Sequence, residues 1–174
     1  YMARGLDHGA ARRLVDSPWV DLFDALQPGA ETVARRVAAA LEKRIPHHRR
    51  RRGLTSLPAS DRLAPWVRAL ENGDIRPEAT EAALDRLLEE GDLAPAEALD
   101  PFRKRGGEAD ELARLAADVA KRAAPMAQKA PDVVMRWALG EVMPRLLGRV
   151  DPAEAQASLT TALASILGRP EHVR

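Results

Sequence analysis

The stretch from 137 to 152 does most to restrict what this chain can become, because it reads as a corner between two helices. Trp137, Leu139, Val142, Met143, Leu146 and Leu147 recur mostly at three- and four-residue steps, which gathers their apolar surface on one side of a helix. Gly148 is the expected stop. Asp151 is placed to cap the next helix, Pro152 fits its first turn, and Glu154 stands three residues after the cap, the spacing of a reciprocal capping pair. Pro144 falls inside the first helix. Its ring meets the carbonyl four residues back, which belongs to Gly140, and a glycine there lets the backbone bend away. A kinked helix is expected; two short helices meeting at the proline are the alternative.

The same periodicity runs through the rest of the chain. Short helices are expected from Ala10 to Val15 and behind a Ser17 cap, with Trp19, Val20, Phe23 and Leu26 following Pro18. Val33, Val37, Leu41 and Ile45 form an i, i+4 stripe on a helix that Pro46 is expected to end. Residues 47–53, His-His-Arg-Arg-Arg-Arg-Gly, show no period and read as a basic loop. Ser60 is expected to cap a helix carrying Leu63, Trp66, Val67 and Leu70. Leu84, Leu87 and Leu88 mark a helix stopped by Gly91, and a short helix is expected over 95–99. Leu112, Leu115, Ala116 and Val119 mark another, and Pro125 and Pro131 divide its connection to the corner. The last helix presents Ala155, Leu159, Leu163, Ile166 and Leu167 and is expected to end at Gly168, before Pro170.

No segment alternates like a half-buried strand, and no internal repeat is visible. Aromatics make up only 3% of the chain, so the core must come from Ala, Leu and Val. The expectation is an all-α protein of two small helical lobes. The Asn72-Gly73 turn sets the expected boundary, with an N-terminal lobe carrying the basic loop over 1–73 and a tail lobe over 74–174.

With no cysteine, disulfides, thiolate zinc sites and a cysteine nucleophile are excluded. No apolar run approaches the ~20 residues that span a bilayer, and Tyr1-Met-Ala-Arg-Gly5 lacks the apolar segment of a signal peptide. A cytoplasmic location is the expectation, and the opening Tyr reads as a cut from something longer. Net charge is +1, but unevenly laid out. Residues 1–59 hold 11 Lys/Arg against 6 Asp/Glu, residues 60–100 hold 4 against 11, and residues 101–174 hold 12 against 9. A polyanion would therefore touch the flanks and avoid the middle.

Catalytic patterns are missing. There is no Gly-rich phosphate loop, no Ser elbow and no metal-ligand spacing. His47 and His48 are adjacent, whereas a helical metal pair needs a spacing of three or four, so they extend the basic patch. Asp21 and Asp24 lie one turn apart and read as a solvated face. The expectation is a non-catalytic protein with no cofactor. Arg49, Arg50, Arg51 and Arg52, with His48, are the first candidate site, since consecutive guanidiniums neutralise phosphates without reading bases. Lys129, Arg136, Arg145 and Arg149 in the tail are the second. The bland reading of the arginine run is a solvated loop, or ion pairs to the acidic residues of 60–100. With so few aromatics there is no stacking platform for single strands, and a structured RNA suits this surface better.

One resemblance runs through these motifs. Ala138-Leu-Gly-Glu-Val-Met143 followed by Gly148-Arg-Val-Asp-Pro152 and an apolar helix resembles the closing segment of the GatB/YqeY family, a tRNA-associated helical domain. Ser17-Pro-Trp-Val-Asp-Leu-Phe-Asp-Ala-Leu26 resembles its early segment and Leu70-Glu-Asn-Gly-Asp-Ile75 its middle one, in the same order. Ile45-Pro-His-His-Arg-Arg-Arg-Arg-Gly-Leu-Thr-Ser-Leu-Pro58 looks most like the version appended to bacterial glutaminyl-tRNA synthetases. The family also supplies the C-terminal part of the GatB and GatE amidotransferase subunits. The chain departs from the pattern at Ala34-Arg35-Arg36, where the family often carries Asn-Trp, and at Pro144. The resemblance implies a YqeY-like tail and a non-catalytic appendage that raises affinity for tRNA, tRNA-Gln at its outer corner, in a parent synthetase or amidotransferase. The rival class is a docking module whose apolar faces bind a parent enzyme without touching RNA.

Overall fold

In the computed structural model, residues 1–167 are described, and they fold as helices with no strand among them; Ile75 and Arg103 share one isolated antiparallel bridge. The expected helix end at Gly168, before Pro170, and the expected inward face of Leu167 lie outside what is described. The chain divides into two units, Tyr1–Arg103 and Lys104–Arg174. The division therefore falls some way after the Asn72-Gly73 turn expected to mark it. The helices that follow the turn explain this: they bury Ala83, Leu84, Leu87, Ala98 and Leu99, and so complete the core of the first unit.

The first unit is built from α1 (His8–Val15), α2 (Val20–Leu26), α3 (Glu31–Ala39), α4 (Ile45–Arg52), α5 (Ser60–Glu71), α6 (Thr80–Glu89) and α7 (Pro95–Leu99). Helix α5 is the hub, packing against α2, α3, α6 and α7. Its buried Trp66 donates from Nε1 to the Thr80 carbonyl at 3.2 Å, so a large apolar ring is placed with its one polar atom satisfied. The expected caps at Ser17 and Ser60 take other forms. The Ser17 hydroxyl donates to the Leu14 carbonyl at 2.7 Å and accepts from the Trp19 N–H at 3.2 Å, tying the α1–α2 turn together. Ser60 is already the first residue of α5 and makes no side-chain cap.

The stripe Val33, Val37, Leu41, Ile45 is buried as the period requires. The helix does not end at Pro46, however. Between α3 and α4 lies a π-helical turn, Ala40–Arg44, in which the Ile45 N–H reaches back five residues to the Ala40 carbonyl. The wider turn shifts the hydrogen-bond register so that Pro46 falls in the first turn of α4, where its missing N–H removes no bond the helix needs. Residues 47–52, read as a loop, are thus helical, and Gly53 stops α4 at φ +64°.

The second unit is α8 (Glu108–Ala123), α9 (Pro131–Leu146) and α10 (Pro152–Leu167), each packed on the other two. Its core is three stripes with mostly four-residue steps: Leu112, Ala116, Val119 and Ala123; Val134, Ala138, Val142 and Leu146; Ala155, Leu159 and Leu163. The alanines let the helices approach closely. At the corner, the Gly148 stop and the Asp151 cap are as expected. Helix α9 runs unbroken through Pro144, Gly148 adopts φ +81°, and Asp151 accepts the Ala153 N–H at 2.9 Å. The buried face of α9 is turned from the one expected, since Trp137, Leu139 and Met143 only flank the core. No helix among the described residues is long and apolar enough to cross a membrane.

Candidate nucleic-acid interface

Because α4 is helical, the four arginines of the run point in different directions. Arg49 turns inward. Its guanidinium lies 5.5 Å from the centre of the Trp19 ring, and its Nη2 donates to the Thr55 carbonyl, pinning the loop that follows α4. His48 is only 6% exposed, so this candidate cannot face a partner. Arg50, Arg51 and Arg52 remain exposed on the closing turn. There they also oppose the negative end of the helix dipole, a structural reason for cations at this place. Arg51 approaches Glu89 at 3.9 Å, a surface pair of little strength. Among the described residues Arg50 and Arg52 have no acidic partner.

Further cations join them along the same helical run. Lys43, His47 and Arg51 follow at steps of four, on one side of the π-helical turn and α4, and Lys43 and His47 are both exposed. Lys43 and His47 also line a cavity of about 540 Å³ together with Arg36, Arg44 and Glu81. The acidic middle does compete here: Arg44 holds Asp85, with Nε to Oδ1 at 2.7 Å, and Glu81 at 3.5 Å. Asp85 raises the proton affinity of that guanidinium further, first through their hydrogen bond. Arg44 is therefore committed to the fold, whereas Lys43 and His47 are free. With Pro46 read as a helix end, Lys43 stands apart from the arginines in the sequence; the i, i+4 spacing of Lys43, His47 and Arg51 is the signal that joins them.

The second candidate set does not come together. Arg149 has a side-chain exposure of 11% and closes on the first turns of α8, forming a two-pronged pair with Glu111 and lying 4.0 Å from Glu108. It is a clamp. Arg136 and Arg145 are exposed but nine residues apart on α9, and at 3.6 residues per turn they face opposite sides. Arg136 pairs with Asp132 at 3.7 Å, and Lys129 sits in the turn before α9. The acid pair read as a solvated face is structural in part, since Asp24 accepts from the Tyr1 hydroxyl at 2.7 Å and from Arg4 at 3.2 Å. No group of three or more His, Asp or Glu among the described residues is placed to hold a metal ion.

Comparison with protein-family models, curated proteins and solved structures finds no match to this chain. The likeness to the GatB/YqeY family thus stands on the motifs alone.

Proposed function

We propose that the chain is a non-catalytic tRNA-binding segment that raises the tRNA affinity of a glutaminyl-tRNA synthetase or Glu-tRNA(Gln) amidotransferase to which it is attached. The observation that carries this reading is the set of exposed cations along one helical run, Lys43, His47 and Arg51 on one side of it and Arg50 and Arg52 on the closing turn of α4. Exposed cations spaced along a helical run suit the phosphates of a structured RNA, which are read by spacing and shape, and Lys43, Arg50, Arg51 and Arg52 bring no aromatic ring for bases to stack on. The GatB/YqeY-like motifs supply the choice of tRNA and of parent.

A segment that holds tRNA away from the reacting centre binds ground and transition states alike. Its removal from the parent raises the Michaelis constant for tRNA and leaves turnover unchanged. Two lost phosphate contacts together contributing about 1.4 kcal/mol give a ~10-fold rise. Steady-state kinetics of the truncated parent test this, and a large fall in turnover at saturating tRNA contradicts a passive tether.

One observation favours the docking reading. Leu54 and Leu57, on the loop after α4, are 50% and 41% exposed, beside a small cavity lined by Ile45 and Leu88. Changing both to Ser leaves RNA binding intact and abolishes capture of the parent if the loop is a docking site.

A further inference from the structure

The cavity at the π-helical turn is lined from α3, the turn itself, α4, α5 and α6, all within the first unit. Its floor is apolar, with Ala39, Ala40, Trp66 and Leu84, and its cations are Arg36, Lys43, Arg44 and His47. Arg44 is neutralised by Asp85 and by Glu81, the one acidic residue of the lining. Arg36 makes one hydrogen bond, from Nη1 to the Pro77 carbonyl at 3.5 Å, which leaves most of its donors free. Lys43 and His47 have no partner among the described residues. Three uncommitted cationic or protonatable groups therefore converge from three consecutive segments on one concave space.

We infer that this cavity seats a single phosphate ester, bound by Lys43 and Arg36 with His47 as the third donor. A planar carboxylate is satisfied by one guanidinium fork, whereas a tetrahedral phosphate presents oxygens in several directions and matches donors that arrive from separate segments. The cavity is also larger than the ion, and its apolar floor offers room for the sugar of an ester. The seat deepens the proposed RNA reading, on which it rests only for the source of the phosphate. An RNA phosphate and a small phosphorylated ligand share the chemistry, and the experiment separates them.

The test is nuclear magnetic resonance of the 174-residue chain, following the His47 ring signals, assigned through His47→Gln, during titration with inorganic phosphate, adenosine monophosphate and sodium chloride. Both phosphates are expected to give saturable shifts and chloride none. Lys43→Ala should weaken phosphate binding by about 10-fold, the worth of one charge-assisted hydrogen bond, and Lys43→Arg should restore it. Ala39→Phe, at an exposed position, fills the space and should abolish it, with circular dichroism confirming the helices. His47 signals that ignore phosphate, or follow chloride equally, overturn the seat; so does undiminished binding in Ala39→Phe. In the RNA arm, a salt slope lowered by about one in Ala39→Phe assigns the seat to an RNA phosphate. An unchanged slope with phosphate binding lost assigns it to a small ligand. Saturable shifts in a chain that retains no RNA sustain the seat and contradict the RNA reading.

Discussion

Arg49 lies over Trp19, with its guanidinium carbon 5.5 Å from the ring centre, and this contact divides the arginine run into one residue that holds the fold and three that face outward. The same guanidinium donates to the Thr55 carbonyl, so it joins the start of α2, α4 and the loop behind them. Arg49→Ala is therefore expected to cost about 1–2 kcal/mol, from a partly desolvated cation–π contact and one hydrogen bond. Arg50→Ala, Arg51→Ala and Arg52→Ala should each stay within ~0.5 kcal/mol of the parent chain. Denaturant unfolding decides this, and equal costs at all four positions would contradict the division.

The pairing of Arg149 with Glu111 leads to a second expectation. Arg149→Met leaves Glu111 and Glu108 without their cation and should destabilise the second unit by about 1–3 kcal/mol, less than a fully buried pair because Glu111 is about one-third exposed. Adding Glu111→Leu should recover part of that loss, a coupling that a double-mutant cycle measures. RNA affinity should not change in either variant. A fall in affinity without loss of stability would return Arg149 to the binding surface.

Acid should act on the same place through Glu108. Its carboxylate accepts from the backbone N–H groups of Arg105 and Gly106, and these bonds, that from Arg105 foremost, hold its pKa below the usual 4.5. A group whose folded pKa is depressed lends stability above its unfolded pKa and loses it as pH falls through the folded value. The stability of the second unit should accordingly decline as pH drops from about 4.5. Glu108→Gln should flatten that decline while leaving the other carboxylates to titrate. Thermal unfolding between pH 3 and pH 7 (roughly the span of carboxylate titration) is the measurement, and identical profiles would contradict the assignment.

The corner at Gly148 and the stripes of α8 and α10 could be read from the sequence because each signal is local: a glycine at a positive φ, an aspartate one residue before a proline, apolar residues at helical spacing. Other features could not. Pro46 reads as a terminator of a regular helix, and the π-helical turn before it, with Ala40 and Leu41 buried, places it in the first turn of α4 instead. The roles of His48, Arg49 and Arg149 were likewise hidden, because a charged residue in sequence carries no mark of the tertiary partner that will claim it. Trp19 is thirty residues from Arg49 and Glu111 is 38 from Arg149. The boundary between units shifted for the same reason, since Asn72-Gly73 is a true turn, with Gly73 at φ +70°, but the helices beyond it fold back onto α5.

The most direct measurement is the salt dependence of binding to a structured tRNA by the intact chain and by a chain with Arg50, Arg51 and Arg52 all changed to Ala. If these arginines neutralise phosphates, the triple variant binds more weakly and its slope of log affinity against log salt falls by about two to three, with unfolding free energy unchanged. Equal affinity and an equal slope in the two chains would contradict the account.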